Sequence, residues 1–243
     1  MSAADIQTSK PMAQAAAPCP ARVRRLQNRH GKIWLNVGGG NYFLDDFVNV
    51  DSNFLVFLAP FYPAIKPALK KPARDWLETY KAGRRPNNFV FANCRLPLHF
   101  PNNSVDHILI SHFLEHLHYD DAVAVLKNYH SILKPGGTLH IIVPDLAQKS
   151  REYVSKIGDA GAAESFVDWM GFRKRRMARL PVRILRVTGW FDFLHCFIYD
   201  LFSLSKLVRE AGFGIVPRND SPSASWRLND PYQVNILAQK PAE

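Results

Sequence analysis

The sequence predicts a doubly wound α/β fold with a mostly parallel sheet. Short, nearly continuous apolar runs alternate with helical patterns over about 100 residues, as strands buried on both faces of a parallel sheet require. The first run, KIWLNV, leads straight into Gly38-Gly39-Gly40, the pattern of a buried strand entering a tight turn. An acid, Asp51, closes the second run.

The elements follow in order. FVNVD, Phe47 to Asp51, reads as the second strand, NNFVFANC, Asn87 to Cys94, as the third, and VDHILIS, Val105 to Ser111, as the fourth. Asp120 to Leu133 then carries Ala122, Leu126, Tyr129 and Leu133 on one helical stripe behind an Asp-Asp cap. Pro135 and two glycines in KPGG are expected to end that helix before the fifth strand, TLHIIVP. LAQKSREYV looks helical, and Asp200 to Phe213 reads as an amphipathic helix closing at Gly212. Strands near Gly214 to Pro217 and Tyr232 to Lys240 fit an antiparallel hairpin at one sheet edge.

The 243-residue chain is long enough for one sizeable core, and its 47% apolar content is that of a globular protein. Residues 1–30 read as a flexible Ala/Pro-rich tail and 31–243 as one domain, with insertions at about 52–86 and 150–195. The longest apolar stretch, Phe54 to Ile65, is broken by Pro60 and Pro63 and is too short to span a bilayer. With no secretion-signal pattern at the start, the expected location is cytoplasmic. Three dispersed cysteines, Cys19, Cys94 and Cys196, argue against a disulfide framework and a thiolate zinc site.

A formal charge of +10 favours anionic partners. It concentrates in Arg173 to Arg186, where seven basic residues stand with no acid, either as a solvated face or as a surface for an anionic acceptor or peripheral membrane contact.

In a doubly wound sheet, ligands bind at the carboxyl ends of the strands, which places Gly38, Gly39 and Gly40 at a crevice. A Cβ there would hold a ligand off the backbone. Asp51 is placed to accept from both hydroxyls of a ribose. The third glycine of a dinucleotide fingerprint is missing and Asp51 stands only 13 positions after Gly38, which disfavours a pyrophosphate and favours a nucleoside cofactor such as S-adenosylmethionine. His112-Phe113-Leu114-Glu115-His116 also matches the H-x-x-E-H pattern of inverted zinc peptidases, which on a helix would put both histidines on one face.

LNVGGGNYFLDDFVNVD, LPLHFPNNSVDHILISHFLEHL and ILKPGGTLHIIVPDL, in that order from Lys32 to Leu146, resemble the class I S-adenosylmethionine-dependent methyltransferases, in particular a bacterial branch associated with surface-polysaccharide biosynthesis. HCFIYD and LVREAGF add weaker support. The resemblance implies a seven-stranded Rossmann-like sheet. It puts S-adenosyl-L-methionine against Gly38, Gly39, Gly40 and Asp51, with Asn93, Cys94 and Ser111 lining the same crevice. Asn93 stands where the family usually has an aspartate near the adenine, and His99 where it often has proline. Under the resemblance SHFLEHL belongs to the crevice and the helix after it, with no metal, and Ser52 to Pro86 either covers the acceptor pocket or packs as an excursion of the core.

Methyl transfer is a displacement in line with the sulfonium, and a hydroxyl acceptor also needs its proton removed. His112 and His195 are the two candidate bases, and Tyr199 is a candidate acceptor contact. The resemblance implies a small-molecule or glycan-precursor acceptor. ISHF after the fourth strand lacks the proline-rich motif of nucleic-acid amino methyltransferases, although charge leaves RNA open. The alternatives are a non-catalytic binding or scaffold protein with this fold, and an H-x-x-E-H zinc hydrolase.

Overall fold

The computed structural model describes residues 24–40, 42–83, 88–171, 195–217, 222–223 and 230–242. Most of the N-terminal tail and all of Arg173 to Arg186 lie outside the described residues.

Seven strands form one sheet: β1 (Trp34–Val37), β2 (Val48–Asp51), β3 (Phe89–Phe91), β4 (Val105–Ser111), β5 (Leu133–Pro144), β6 (Gly214–Val216) and β7 (Gln233–Gln239). Their order is β3-β2-β1-β4-β5-β7-β6. The first five are parallel, and β7 runs antiparallel between β5 and β6. The predicted α/β class and the terminal antiparallel pair are therefore both present. Strand order reverses between β1 and β4, so the carboxyl ends of these two strands flank the crevice a doubly wound sheet offers to ligands.

Five α-helices of eight residues or more lie among the described residues: α1 (Lys71–Gly83), α2 (Tyr119–Ile132), α3 (Leu146–Ser155), α4 (Ala162–Trp169) and α5 (Leu201–Glu210). Alternation along the strands sends Leu35, Val37, Val50, Ile108, Ile110, Leu139 and Ile141 into one core, which Ala122, Val125, Leu126 and Tyr129 of α2 and Leu204, Leu207 and Val208 of α5 complete. The opposite face is more polar. Phe47, Leu109 and Ile142 form a small cluster there, beside His107 and His140. His107 pairs through Nδ1 with Thr138 Oγ1 (2.7 Å) and through Nε2 with Ser223 Oγ (2.8 Å), and His140 Nδ1 meets the same hydroxyl.

Three local expectations are corrected. Asp120 and Asp121 lie in the first turn of α2, where they complement the helix dipole, but the N-cap is His118 and makes no side-chain capping bond. KPGG does not form the helix stop: α2 ends at Ile132 and β5 begins at Leu133, with Gly136 at φ 75°. Between the Val105–Leu133 and His107–Thr138 pairs β5 carries extra residues, and this bulge holds Pro135 and both glycines. Helices also do not alternate with every strand, because none follows β1 or β3 among the described residues.

The long segment after β2 folds as 3-10 turns over Phe54–Phe61, one α-turn at Tyr62–Ile65, a further turn at Lys66–Ala68, and α1. Ala59, Tyr62, Trp76, Leu77 and Tyr80 make a second apolar cluster, joined by Phe43 and Phe89. The segment thus builds a small core of its own that abuts the glycine turn. Of the 150–195 segment, the end of α3 and α4 are described.

Candidate active site

The crevice is built on two buried amides. Asn36 of β1 donates Nδ2 to Tyr42 O (2.7 Å) and to Asn49 Oδ1 (2.9 Å), and Asn49 Nδ2 in turn reaches the carbonyls of Leu44, Phe47 and Asn88. These bonds satisfy backbone groups that a ten-residue connection leaves without a helix to pair in. They also explain the glycines. Gly38 has φ 66°, and a Cβ on it would stand 2.6 Å from the Phe113 ring. A Cβ on Gly39 would lie 2.5 Å from Asn36 Nδ2. Gly40 has φ 57° and open space around it, so conformation alone selects glycine there.

Asp51 closes β2 beside this turn. Its Oδ2 accepts from Gly40 N–H (3.0 Å) and its Oδ1 from Asn53 N–H (2.9 Å). Burial raises the carboxyl above the ordinary aspartate range, and the N–H groups of Gly40, Asn53 and Ser52 oppose that rise. Trp76 of α1 donates Nε1 to Gly40 O (3.0 Å), so the excursion after β2 clamps the turn from outside. Neither Asn36, Asn49 nor Trp76 was singled out in the sequence; only the buried amides in otherwise apolar strands gave a signal.

The remaining predicted residues divide. Asn93 is half-buried past β3 and uses Oδ1 to accept from Arg95 N–H (3.1 Å). Cys94 is a core residue whose thiol donates to Val50 O (3.3 Å), and burial pushes that thiol well up, so any ligand contact falls to its backbone. Ser111 ends β4 at the crevice and His112 follows it, where His112 N–H still pairs with Ile142 O (2.9 Å) while its φ of 53° turns the chain.

HFLEH is not an α-helix. A 3-10 turn over Leu114–His116 follows the left-handed His112, so His112 and His116 do not share a helical face as the inverted zinc peptidase pattern requires. Glu115 points inward and is 0% exposed. Its backbone carbonyl accepts from Cys196 N–H (2.7 Å) and Phe197 N–H (3.2 Å), which draws the distant 195–199 segment alongside. His195 thereby packs against His116, with ring centroids 5.2 Å apart and planes tilted by 57°. His112 Nδ1 stands 3.3 Å from Glu115 Oε1. Burial lowers the His195 imidazole; the Glu115 carboxylate opposes this, and His116 and His112 add to it. Tyr199 is fully buried nearby, and burial followed by the Glu115 charge raises its phenol. Both predicted bases therefore gather around one buried carboxylate.

The glycine turn and Asp51 lie side by side at the carboxyl ends of a sheet of order 3-2-1-4-5-7-6, and a family profile described as "Methyltransferase domain" matches residues 13–217. The chain belongs to the methyltransferase domain family. It is a methyltransferase.

Among solved structures, this methyltransferase is similar to a chain of the complex between the Haloferax volcanii Trm112 methyltransferase activator and a methyltransferase, at 12% identity over 90% of this chain and 87% of that one, with a TM-score of 0.49. An S-adenosylmethionine-dependent methyltransferase of Methanosarcina mazei is 19% identical over 86% and 92% of the two chains, with a TM-score of 0.47. An O-methyltransferase family protein of Burkholderia thailandensis is 14% identical over 87% of this chain and 51% of its own, at 0.45. No curated protein matches the sequence. Among the described residues, no helix is long and apolar enough to cross a membrane.

Proposed function

We propose that this methyltransferase transfers the methyl group of S-adenosylmethionine to a hydroxyl oxygen of a small-molecule or glycan-precursor acceptor. The observation that carries the reading is the position of His112, the predicted base that directly follows the fourth strand at the crevice, with a buried carboxylate 3.3 Å behind its ring. Gly38, Gly39 and Gly40 let the backbone approach the methionine part of the cofactor. Asp51 accepts from the ribose hydroxyls, and Asn93 meets the adenine side. His112 takes the hydroxyl proton as the oxygen attacks the methyl carbon. The carbon–sulfur bond breaks with its electron pair going to sulfur, and S-adenosylhomocysteine leaves. The Glu115 carboxylate, 3.3 Å from Nδ1 without a hydrogen bond to it, stabilises the cationic form of the imidazole by its charge.

The net charge of +10 supports an anionic acceptor, such as a precursor carried on phosphate. A surface-polysaccharide setting rests on the sequence resemblance alone. The test is methyl transfer from labelled S-adenosylmethionine to a panel of sugar phosphates, nucleotide sugars and phenols, run beside His112→Asn. The expected result is turnover of a hydroxylated acceptor and a loss of about 10²- to 10⁴-fold in kcat in the variant, with cofactor binding retained. Equal kcat in the variant refutes the base, and label found on nitrogen or carbon refutes the hydroxyl.

A further inference from the structure

Glu115 presents a problem that methyl transfer does not resolve. Its carboxylate is wholly buried, and among the described residues neither oxygen has a hydrogen-bond partner. His112 Nδ1, at 3.3 Å, is not aligned to form one. An unpaired buried carboxylate is among the most unfavourable groups a protein interior can hold, and such a group in a native fold calls for a counter-ion, a proton or a ligand.

The surroundings are nitrogen donors. One ligand atom each from Glu115, His116 and His195 lie within 4.8 Å of one another. His195 Nδ1 is buried without a well-formed hydrogen bond among the described residues, although the Met170 carbonyl bears on the ring. Bonds of about 2.1 Å to one ion would bring three such atoms to about 3.3 Å apart, so occupation needs only inward rotation of side chains already converging. Two imidazoles and a carboxylate suit borderline divalent ions, zinc first, and leave a position open for water or another oxygen donor.

We propose that Glu115, His116 and His195 form a divalent transition-metal site, with zinc as the expected ion. This is not the His112/His116 pair of the H-x-x-E-H pattern, since the 3-10 turn separates those two and the third ligand comes from 79 positions further along the chain, at His195. The site adjoins the crevice through His112, and a coordinated His195 has no free lone pair with which to act as a base. Use of the open position by an acceptor oxygen rests on the proposed hydroxyl chemistry; the metal site itself does not.

The test uses the untagged full chain, stripped with chelator and titrated with Co²⁺ in the absence of cofactor and acceptor. The expected result is a visible d–d band saturating at about one ion per chain, displaced by Zn²⁺, with zinc content of the same stoichiometry by elemental analysis. Glu115→Gln and His195→Ala should lose the band, while His30→Ala, on the surface and away from the cluster, keeps it. Glu115→Gln retains the side chain's shape and removes its charge, so its far-UV spectrum should be native, and its melting temperature in chelator should exceed that of the stripped parent. No saturable band in the intact protein overturns the site, as does a band that survives both Glu115→Gln and His195→Ala. Because the readout requires neither cofactor nor acceptor, failure of the hydroxyl-transfer reading leaves it standing.

Discussion

Replacement of Asp51 isolates the contribution of one side chain to cofactor binding. Each carboxylate oxygen already accepts one backbone N–H, from Gly40 at 3.0 Å and from Asn53 at 2.9 Å. A carboxylate oxygen accepts about two hydrogen bonds, so one site on each remains for a ribose hydroxyl. Hydrogen bonds to a charged group contribute about 1.5–3 kcal/mol each, so Asp51→Ala should cost about 3–6 kcal/mol, or about 10²- to 10⁴-fold in Kd. Asp51→Asn keeps one acceptor but turns an amino group toward one of the two N–H groups, and should fall between the variant and the parent. The assay is calorimetric titration with S-adenosylhomocysteine, with thermal melting to show that each variant is folded. Acidification should act in the same direction: protonation removes an acceptor, and because burial raises this carboxyl, binding weakens at a higher pH than for an exposed aspartate. Binding by Asp51→Ala within a few-fold of the parent would refute the assignment of the ribose to this residue.

Trp76→Phe preserves the ring packing against Phe43 and Tyr80 but deletes the bond to Gly40 O, which is expected to cost about 1 kcal/mol and weaken S-adenosylhomocysteine several-fold by the same calorimetry. Burial pushes His107 down to about 3, with the neighbouring His140 adding to the shift. The unfolded chain binds this proton near pH 6.5, so the stability associated with neutral His107 is complete above that pH and declines as the pH falls toward 3, by about 1.4 kcal/mol per unit. Urea unfolding from pH 7 to 4.5 should show this slope, reduced by about one proton in His107→Gln; an unchanged slope in the variant would contradict it.

Much of this was legible in the sequence because it is local. Apolar runs ending in Gly38 and Asp51 placed the carboxyl ends of β1 and β2, β4 matches its run at both ends, and Asp200 with Gly212 framed α5. The misreadings arise where distant partners decide. KPGG looks like a helix stop, but pairing with β4 and β7 draws it into β5 as a bulge. H-x-x-E-H looks helical until the 195–199 segment bonds the Glu115 carbonyl and fixes a tight turn. The buried Asn36–Asn49 pair and the Trp76 clamp depend on contacts 13 and 36 positions apart, beyond any window of periodicity.

The ten-residue link between β1 and β2 has a consequence for discrimination inside a cell. Among the described residues no helix begins at the glycine turn, so its N–H groups are not backed by a helix dipole, and a phosphate placed there gains none of the attraction that dinucleotide folds provide. Asp51 adds a negative charge at the same rim. A phosphate of ATP or NAD placed at this turn would therefore meet a carboxylate instead of a helix dipole, whereas a sulfonium would be attracted to it. Restoring the missing glycine of a dinucleotide fingerprint would not convert this crevice, because the element that such a fingerprint serves is not there to be served.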